Sequence, residues 1–308
     1  MAGYAVKGQA CGIPQLGPPV ARHAIDTPRN RHNMESFLRI LWRIARVVLV
    51  AYLVIVLLMM WFEESFIFFP AKHPSGEWSP PGLGQEEAWF KSADGTRLHG
   101  WYLEHPDPVA TVLFCHGNAG NLSWRAETMR LLRDRAAVSV LIFDYRGYGR
   151  SEGDRPDEEG VYADARAARR WLAERTGLAE EEIVMMGRSI GGAVAVELAA
   201  RDGAEALVLE STFTSLPDMA GRLYPFLPAR WVMRNRFDSL EKIGQYAGPL
   251  LQTHGDADRL VPIEQGEQLF AAAERATPKE WIVLPGLDHN DPQPLEYYDA
   301  LREFLLGR

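Results

Sequence analysis

The sequence predicts an α/β fold: a mostly parallel central sheet covered by helices on both faces, behind one long apolar helix near the N-terminus. Three observations predict it. From about residue 70 onward, short continuous apolar runs alternate with longer amphipathic stretches, the pattern of strands buried on both faces and the helices that cover them. One strand-like run, Ile183-Val184-Met185-Met186, breaks into Gly187-Arg188-Ser189-Ile190-Gly191, a strand-to-helix turn of the form Gly-x-Ser-x-Gly. Residues 47–62 read VVLVAYLVIVLLMMWF, with no charge.

The elements follow in order. Residues 1–33 are rich in Gly, Pro and Ala without periodicity, and read as a disordered tail. Met34 opens a more structured stretch and is a candidate translation start. Residues 34–69 form an anchor segment with a membrane helix at about 44–62, long enough to span if Arg46 snorkels. Arg29, Arg31, Arg39, Arg43 and Arg46 precede the apolar run, while Glu63 and Glu64 follow it. The positive-inside rule then places the N-terminus in the cytoplasm and the remainder on the other side, periplasmic in a bacterium. No small-x-small cleavage site follows the run, so a retained anchor is expected.

Residues 70–308 form the catalytic-sized domain. Strands are expected at 88–91 and 98–103, joined by a turn at Asp94-Gly95, and then at 109–115, 138–143, 183–186, 206–209, 249–253 and 280–284. Helices are expected at 125–135, 158–175, after Ser189, at 263–275 and at 294–306. Residues 212–236 interrupt the alternation with Phe213, Tyr224, Phe226, Trp231 and two prolines, and read either as a short lid or as a packed excursion. The formal net charge of −8 and the lack of a basic stripe argue against a nucleic-acid partner. Two cysteines, Cys11 and Cys115, argue against a disulfide framework or a cysteine-built zinc site.

The chemistry gathers where such sheets keep it, beyond the carboxyl ends of strands. A serine hydroxyl needs a general base within reach, and the base needs an orienting acid. Ser189 stands at the strand-to-helix turn. His289 follows the strand at 280–284 and is the expected base; His254 and His116, each followed by glycine, read as structural. Asp256 and Asp258 compete as the acid. Asp258 is preferred because Val261-Pro262 closes its turn into the next helix, whereas Asp256 suits a turn residue. Donors for a developing oxyanion are expected from the backbone N–H of Ile190, at the start of the helix, and of Asn118, in the loop His116-Gly117-Asn118-Ala119-Gly120-Asn121. Asn121 or Ser123 would cap the helix entry there.

These segments, with Asp144-Tyr145-Arg146-Gly147-Tyr148-Gly149-Arg150-Ser151 and the stretch 286–291, resemble the α/β-hydrolase superfamily, and most of all its membrane-anchored bud-emergence-type members. The resemblance implies an α/β-hydrolase fold, with Ser189 as nucleophile, Asp258 as acid and His289 as base. Asp288 departs from the family, which more often has a small residue before the histidine. The Asp144–Ser151 stretch reads as structural, with Arg146 paired to an acid. The implied activity is hydrolysis of a carboxylic ester or thioester of an apolar acyl substrate, small-molecule or lipid-like, through an acyl-enzyme, requiring no metal and no organic cofactor. A non-catalytic binding protein of the same fold, or an amide hydrolase with the same three residues, is the alternative.

Overall fold

The computed structural model describes residues 1–3, 5, 17 and 28–307, with the backbone alone for 28–32. Most of the tail read as disordered, and with it Cys11, lies outside the described residues. The chain divides into two units, Met1–Ile55 and Val56–Arg308.

Helix α1 runs from Pro28 to Trp61, so it starts inside the stretch read as an unstructured tail. Proline suits a helix start, where its missing N–H costs no hydrogen bond. Its portion Asn33–Trp61 has a mean hydropathy of 2.5 over its most apolar window, which by length and composition is enough to cross a membrane. A secretion signal would satisfy the same test. From Met34 to Val50 every side chain in α1 is exposed, including large apolar groups such as Phe37, Leu41, Ile44 and Val47.

The second unit continues with the short helix α2 (Glu63–Ile67) and then strands β1 (Glu86–Lys91), β2 (Arg97–Leu103) and β3 (Ala110–Cys115). Helix α3 (Ala126–Asp134), strand β4 (Val138–Phe143), helix α4 (Glu158–Thr176), strand β5 (Val184–Arg188) and helix α5 (Ile190–Asp202) follow. After β6 (Leu207–Glu210) come three short helices, α6 (Leu216–Leu223), α7 (Ala229–Val232) and α8 (Ser239–Ile243). Strand β7 (Leu250–Gly255), helix α9 (Ile263–Ala272), strand β8 (Lys279–Leu284) and helix α10 (Leu295–Gly307) complete the unit.

Among the described residues the eight strands form one sheet in the order β1-β2-β4-β3-β5-β6-β7-β8. The β1–β2 and β2–β4 pairs are antiparallel and the remaining pairs parallel. Side chains alternate between faces with period two. Leu113, Leu141, Met185 and Leu207 therefore enter one core, beneath α4, α5 and α9. Val112, Val140, Met186 and Val208 enter the other, against α3 and α10. Both faces are dry, which is why these strands read as unbroken apolar runs. Boundaries differ from the expected ones by a residue or a few. For example, β7 extends to Gly255 because its ladder with β8 continues through the pair Gly255 and Leu284.

At the C-terminal end of β5 the chain reverses into α5 within one residue. Ser189 takes φ 55°, ψ −120°, a conformation that L side chains rarely adopt. The turn is possible because two neighbours lack a side chain. A Cβ on Gly187 would lie 2.1 Å from the Gly191 carbonyl oxygen, and one on Gly191 would lie 2.0 Å from that of Cys115. The backbone is also tied across the sheet, with Ser189 N–H donating to Glu210 O at 2.9 Å and Thr212 Oγ1 donating to Ser189 O at 2.7 Å.

The Asp144–Ser151 stretch braces a neighbouring loop. Tyr145 Oη donates to His116 O at 3.0 Å, and Tyr148 Oη donates to Asn118 Oδ1 at 2.8 Å. Arg146 Nη2 meets Asp164 Oδ1 at 2.7 Å, its backbone N–H donates to Asp164 Oδ2 at 2.8 Å, and Nη1 reaches Asp94. Asp164 is fully buried, so removing its cation leaves an uncompensated charge in the core. Arg146→Ala is therefore expected to lower unfolding stability by about 3 kcal/mol, read by chemical denaturation; a change within the scatter of surface variants would contradict this role.

Candidate active site

The elbow presents Ser189 Oγ at the rim of the sheet, and loops after β7 and β8 meet it there. His289 Nε2 lies 3.1 Å from Ser189 Oγ, and His289 Nδ1 lies 2.7 Å from Asp258 Oδ2. Asp258 and His289 are both buried. The backbone N–H groups of Val261 and Leu260 donate to Asp258 Oδ1 at 2.7 and 3.0 Å. Burial disfavours the charged form of this carboxyl, but hydrogen bonds from His254, His289 and Val261 outweigh it and hold Asp258 well below the usual carboxylate range. An ionised Asp258 fixes the proton of His289 on Nδ1 and leaves Nε2 as an acceptor for the serine hydroxyl.

The competing candidates have other partners, although His254 Nε2 also lies 3.5 Å from Asp258 Oδ2. Asp256 accepts from Gly286 N–H at 2.6 Å and so pins the turn after β8. His254 is fully buried, with Nε2 donating to Val261 O at 2.8 Å. His116 Nδ1 donates to Gly117 O at 2.7 Å, and burial pushes its imidazole down to about 4. Asp288 turns away toward Arg259, whose Nε donates to it at 2.7 Å; backbone and side-chain hydrogen bonds from Arg259 lower its carboxyl to about 2.

Ile190 is the first residue of α5, so its N–H belongs to the unpaired first turn of a helix whose positive end faces the serine. Gly117, Asn118 and Ala119 line the opposite side of the same space. The Asn118 side chain is occupied: Nδ2 donates to Ile67 O, and Oδ1 accepts from Phe69 N–H at 3.1 Å. The side chain is thus tied to the strap around α2, and the backbone N–H of Asn118 is the candidate donor. Asn121 caps the turn at Leu122–Arg125, accepting from Ser123 N–H.

Above Ser189 lies a cavity of about 450 Å³. Its walls come from three segments: the last turns of α1 (Val56, Met59), the strap around α2 (Phe66), and the insertion carrying α6 and α7 (Met219, Leu223, Val232). The insertion thus covers the site. Its far root is fastened by Glu63, a buried carboxylate that accepts from Arg234 N–H at 3.0 Å and Asn235 N–H at 2.7 Å. Two arginines also line the cavity. Arg188 Nη2 donates to the carbonyls of His289 and Asp291 at 2.6 and 2.9 Å, bracing the loop that carries the imidazole. Arg125 Nη2 donates to Ala119 O at 3.0 Å. Sequence reasoning missed Glu63, Arg125 and Arg188; the Phe-rich stretch 66–69 beside the apolar run was the available signal that α1 and its strap form a wall. Among the described residues, no cluster of His, Cys, Asp or Glu is placed to hold a metal ion.

Comparison with known proteins places this geometry. A match to the Alpha/beta hydrolase family covers residues 112–304. The chain is 41% identical over 256 residues to the uncharacterized protein Rv2307c of Mycobacterium tuberculosis, spanning 81% of this chain and 90% of that one. It is 34% identical over 213 residues to protein bem46 of Schizosaccharomyces pombe, spanning 66% of this chain and 69% of that one. In fold it is similar to the Pyrococcus furiosus esterase Pf2001, with a TM-score of 0.63 and 23% identity, covering 77% of this chain and 98% of that one. With its sheet order, its serine elbow and the loops that meet there, the chain belongs to the alpha/beta hydrolase family.

Proposed function

We propose that the protein is a membrane-anchored serine hydrolase that cleaves carboxylic ester or thioester bonds of an apolar acyl substrate. The observation that carries this reading is the unbroken hydrogen-bond relay from Asp258 through His289 to Ser189 at the floor of an apolar cavity. Ser189 Oγ attacks the carbonyl carbon while His289 Nε2 takes its proton. Asp258 stabilises the imidazolium that forms. The negative charge on the carbonyl oxygen is met by the N–H groups of Ile190 and Asn118. His289 then returns the proton to the leaving alcohol or thiol, and water repeats the sequence on the acyl-enzyme. The first proton passes between two side chains already in contact, the later ones pass between His289 and the leaving group or water, and none calls for a metal or organic cofactor.

The apolar walls favour an acyl chain over a polar group, and a cavity of this size suits a small-molecule or lipid-like ester. Helix α1 would hold the protein at a membrane, with the arginine-rich end in the cytoplasm and the hydrolase domain on the other side. The formal net charge of −8 argues against a nucleic-acid partner. The fold similarity to an esterase fits this activity.

A fluorophosphonate probe should label the protein at Ser189, and Ser189→Ala should abolish labelling; labelling that survives in the variant assigns the nucleophile elsewhere. Asp258→Asn should lower kcat by roughly three to four orders of magnitude, while Asp256→Asn stays near wild type. A large loss in the latter alone would reassign the acid. Because the folded Asp258 pKa is depressed, its contribution to stability is present above its unfolded value of ~3.9 and fades as pH falls through the folded value. The stability gap between wild type and Asp258→Asn should therefore narrow in acid titrations followed by circular dichroism. Protease added to spheroplasts should digest the hydrolase domain, and full protection until lysis would reverse the topology.

A further inference from the structure

The cavity over Ser189 is lined mostly by apolar side chains, and two arginines stand among its lining residues. Arg125 closes the turn after β3, and Arg188 is the last residue of β5, immediately before the serine. Both line the cavity and both are partly buried. Their hydrogen bonds go to backbone carbonyls only: Ala119 for Arg125, and His289 and Asp291 for Arg188. Among the described residues neither forms an ion pair with a carboxylate, whereas Arg130, Arg133, Arg146, Arg166 and Arg175 on the same domain all do.

The other acid on the cavity wall, Glu63, is taken by Arg234 and Asn235. Glu210, opposite Arg188 in the β5–β6 register, is buried, and no ion pair joins it to Arg188 among the described residues. Among the described residues no carboxylate pairs with Arg125, whose side-chain hydrogen bond goes to Ala119 O. Burial pushes its guanidinium below the usual value, and the neighbouring charge that lowers it further is another cation, Arg188. Two like charges lining one partly buried cavity disfavour each other, and an anion entering it would offset both. A guanidinium is also suited to the paired oxygens of a carboxylate or phosphate.

Building on the acyl-ester reading of the cavity, the geometry points to an anion-binding subsite formed by Arg125 and Arg188, so that the ligand is an anionic amphiphile. Its apolar chain lies along the walls of α1, α6 and α7, and an acidic oxygen group, carboxylate or phosphate, sits against the two guanidinium groups. Arg125 supplies the free charge. Arg188 contributes through the donors not used on the His289 loop.

The test is calorimetric binding to the full chain in nonionic-detergent micelles, with dodecanoate, dodecyl phosphate and dodecanol as probes. The chains match, so the head group alone differs, and the first two probes separate carboxylate from phosphate. One of the anions should bind at least about tenfold tighter than dodecanol, the worth of one charge-assisted contact. Arg125→Gln should remove that advantage, and Arg125→Lys, which keeps the charge, should retain part of it. Raising the salt concentration should narrow the gap in the wild type. Equal affinities for all three probes, or an anion preference that survives in Arg125→Gln, would overturn the subsite. The readout is binding, so it stands even if Ser189 fails to take up a fluorophosphonate, an outcome that would count against the hydrolase reading instead.

Discussion

Everything at this site depends on how closely helix α5 approaches the strand before it. Glycine at 187 and 191 lets backbone meet backbone at distances that any side chain would forbid. The cost is concentrated on Ser189, which is held at positive φ by hydrogen bonds to Glu210 and Thr212. The consequence is that one turn brings two groups to the cavity together: the Ser189 hydroxyl and the unpaired N–H groups of a helix start. A looser turn would separate them, and no later adjustment of His289 or Asp258 could restore the geometry.

A second layer of organisation surrounds that elbow. The loop after β3 is buttressed by Tyr145 and Tyr148 from the loop after β4, and by Asn118 tied to the strap at Ile67 and Phe69. The loop after β8 is buttressed by Arg188. Each of these braces joins segments remote in sequence, and each is a hydrogen bond rather than an apolar contact, most of them to backbone groups. The loops around the serine are therefore positioned by polar ties, while the strands below them are held by two dry cores.

The same strap joins the apolar helix to the chemistry. The last turns of α1 and the residues of α2 form a cavity wall, and Glu63 between them binds the root of the insertion at Arg234 and Asn235. A segment that reads in sequence as a mere anchor thus also lines the cavity over Ser189. This arrangement explains why the stretch after the apolar run is rich in phenylalanine: Phe66 and Phe69 face the chamber, and Phe68 packs edge-on against Phe237 in the core.

Residues whose roles follow from local backbone or strand position were readable from the chain alone. The Gly-x-Ser-x-Gly turn is a local steric rule. The preference for Asp258 over Asp256 came from the Val261-Pro262 turn, and it is the Val261 N–H that grips Asp258 while Asp256 serves Gly286. The alternation of strands and helices follows from which faces must be dry. Arg125, Arg188, Glu63 and the Asn118 side chain could not be read in this way. Their partners lie 101 residues away for Arg188, 171 for Glu63 and 51 for Asn118. Arg125 has its partner only six residues away, but no carboxylate pairs with it among the described residues. Sequence determines where a strand must end and a helix begin, because those choices are settled by steric clashes and hydrophobic burial within a few residues. Which charges are paired across a cavity, and which are left facing it, is decided only when distant segments fold together, because Coulomb forces and hydrogen bonds act through space rather than along the chain.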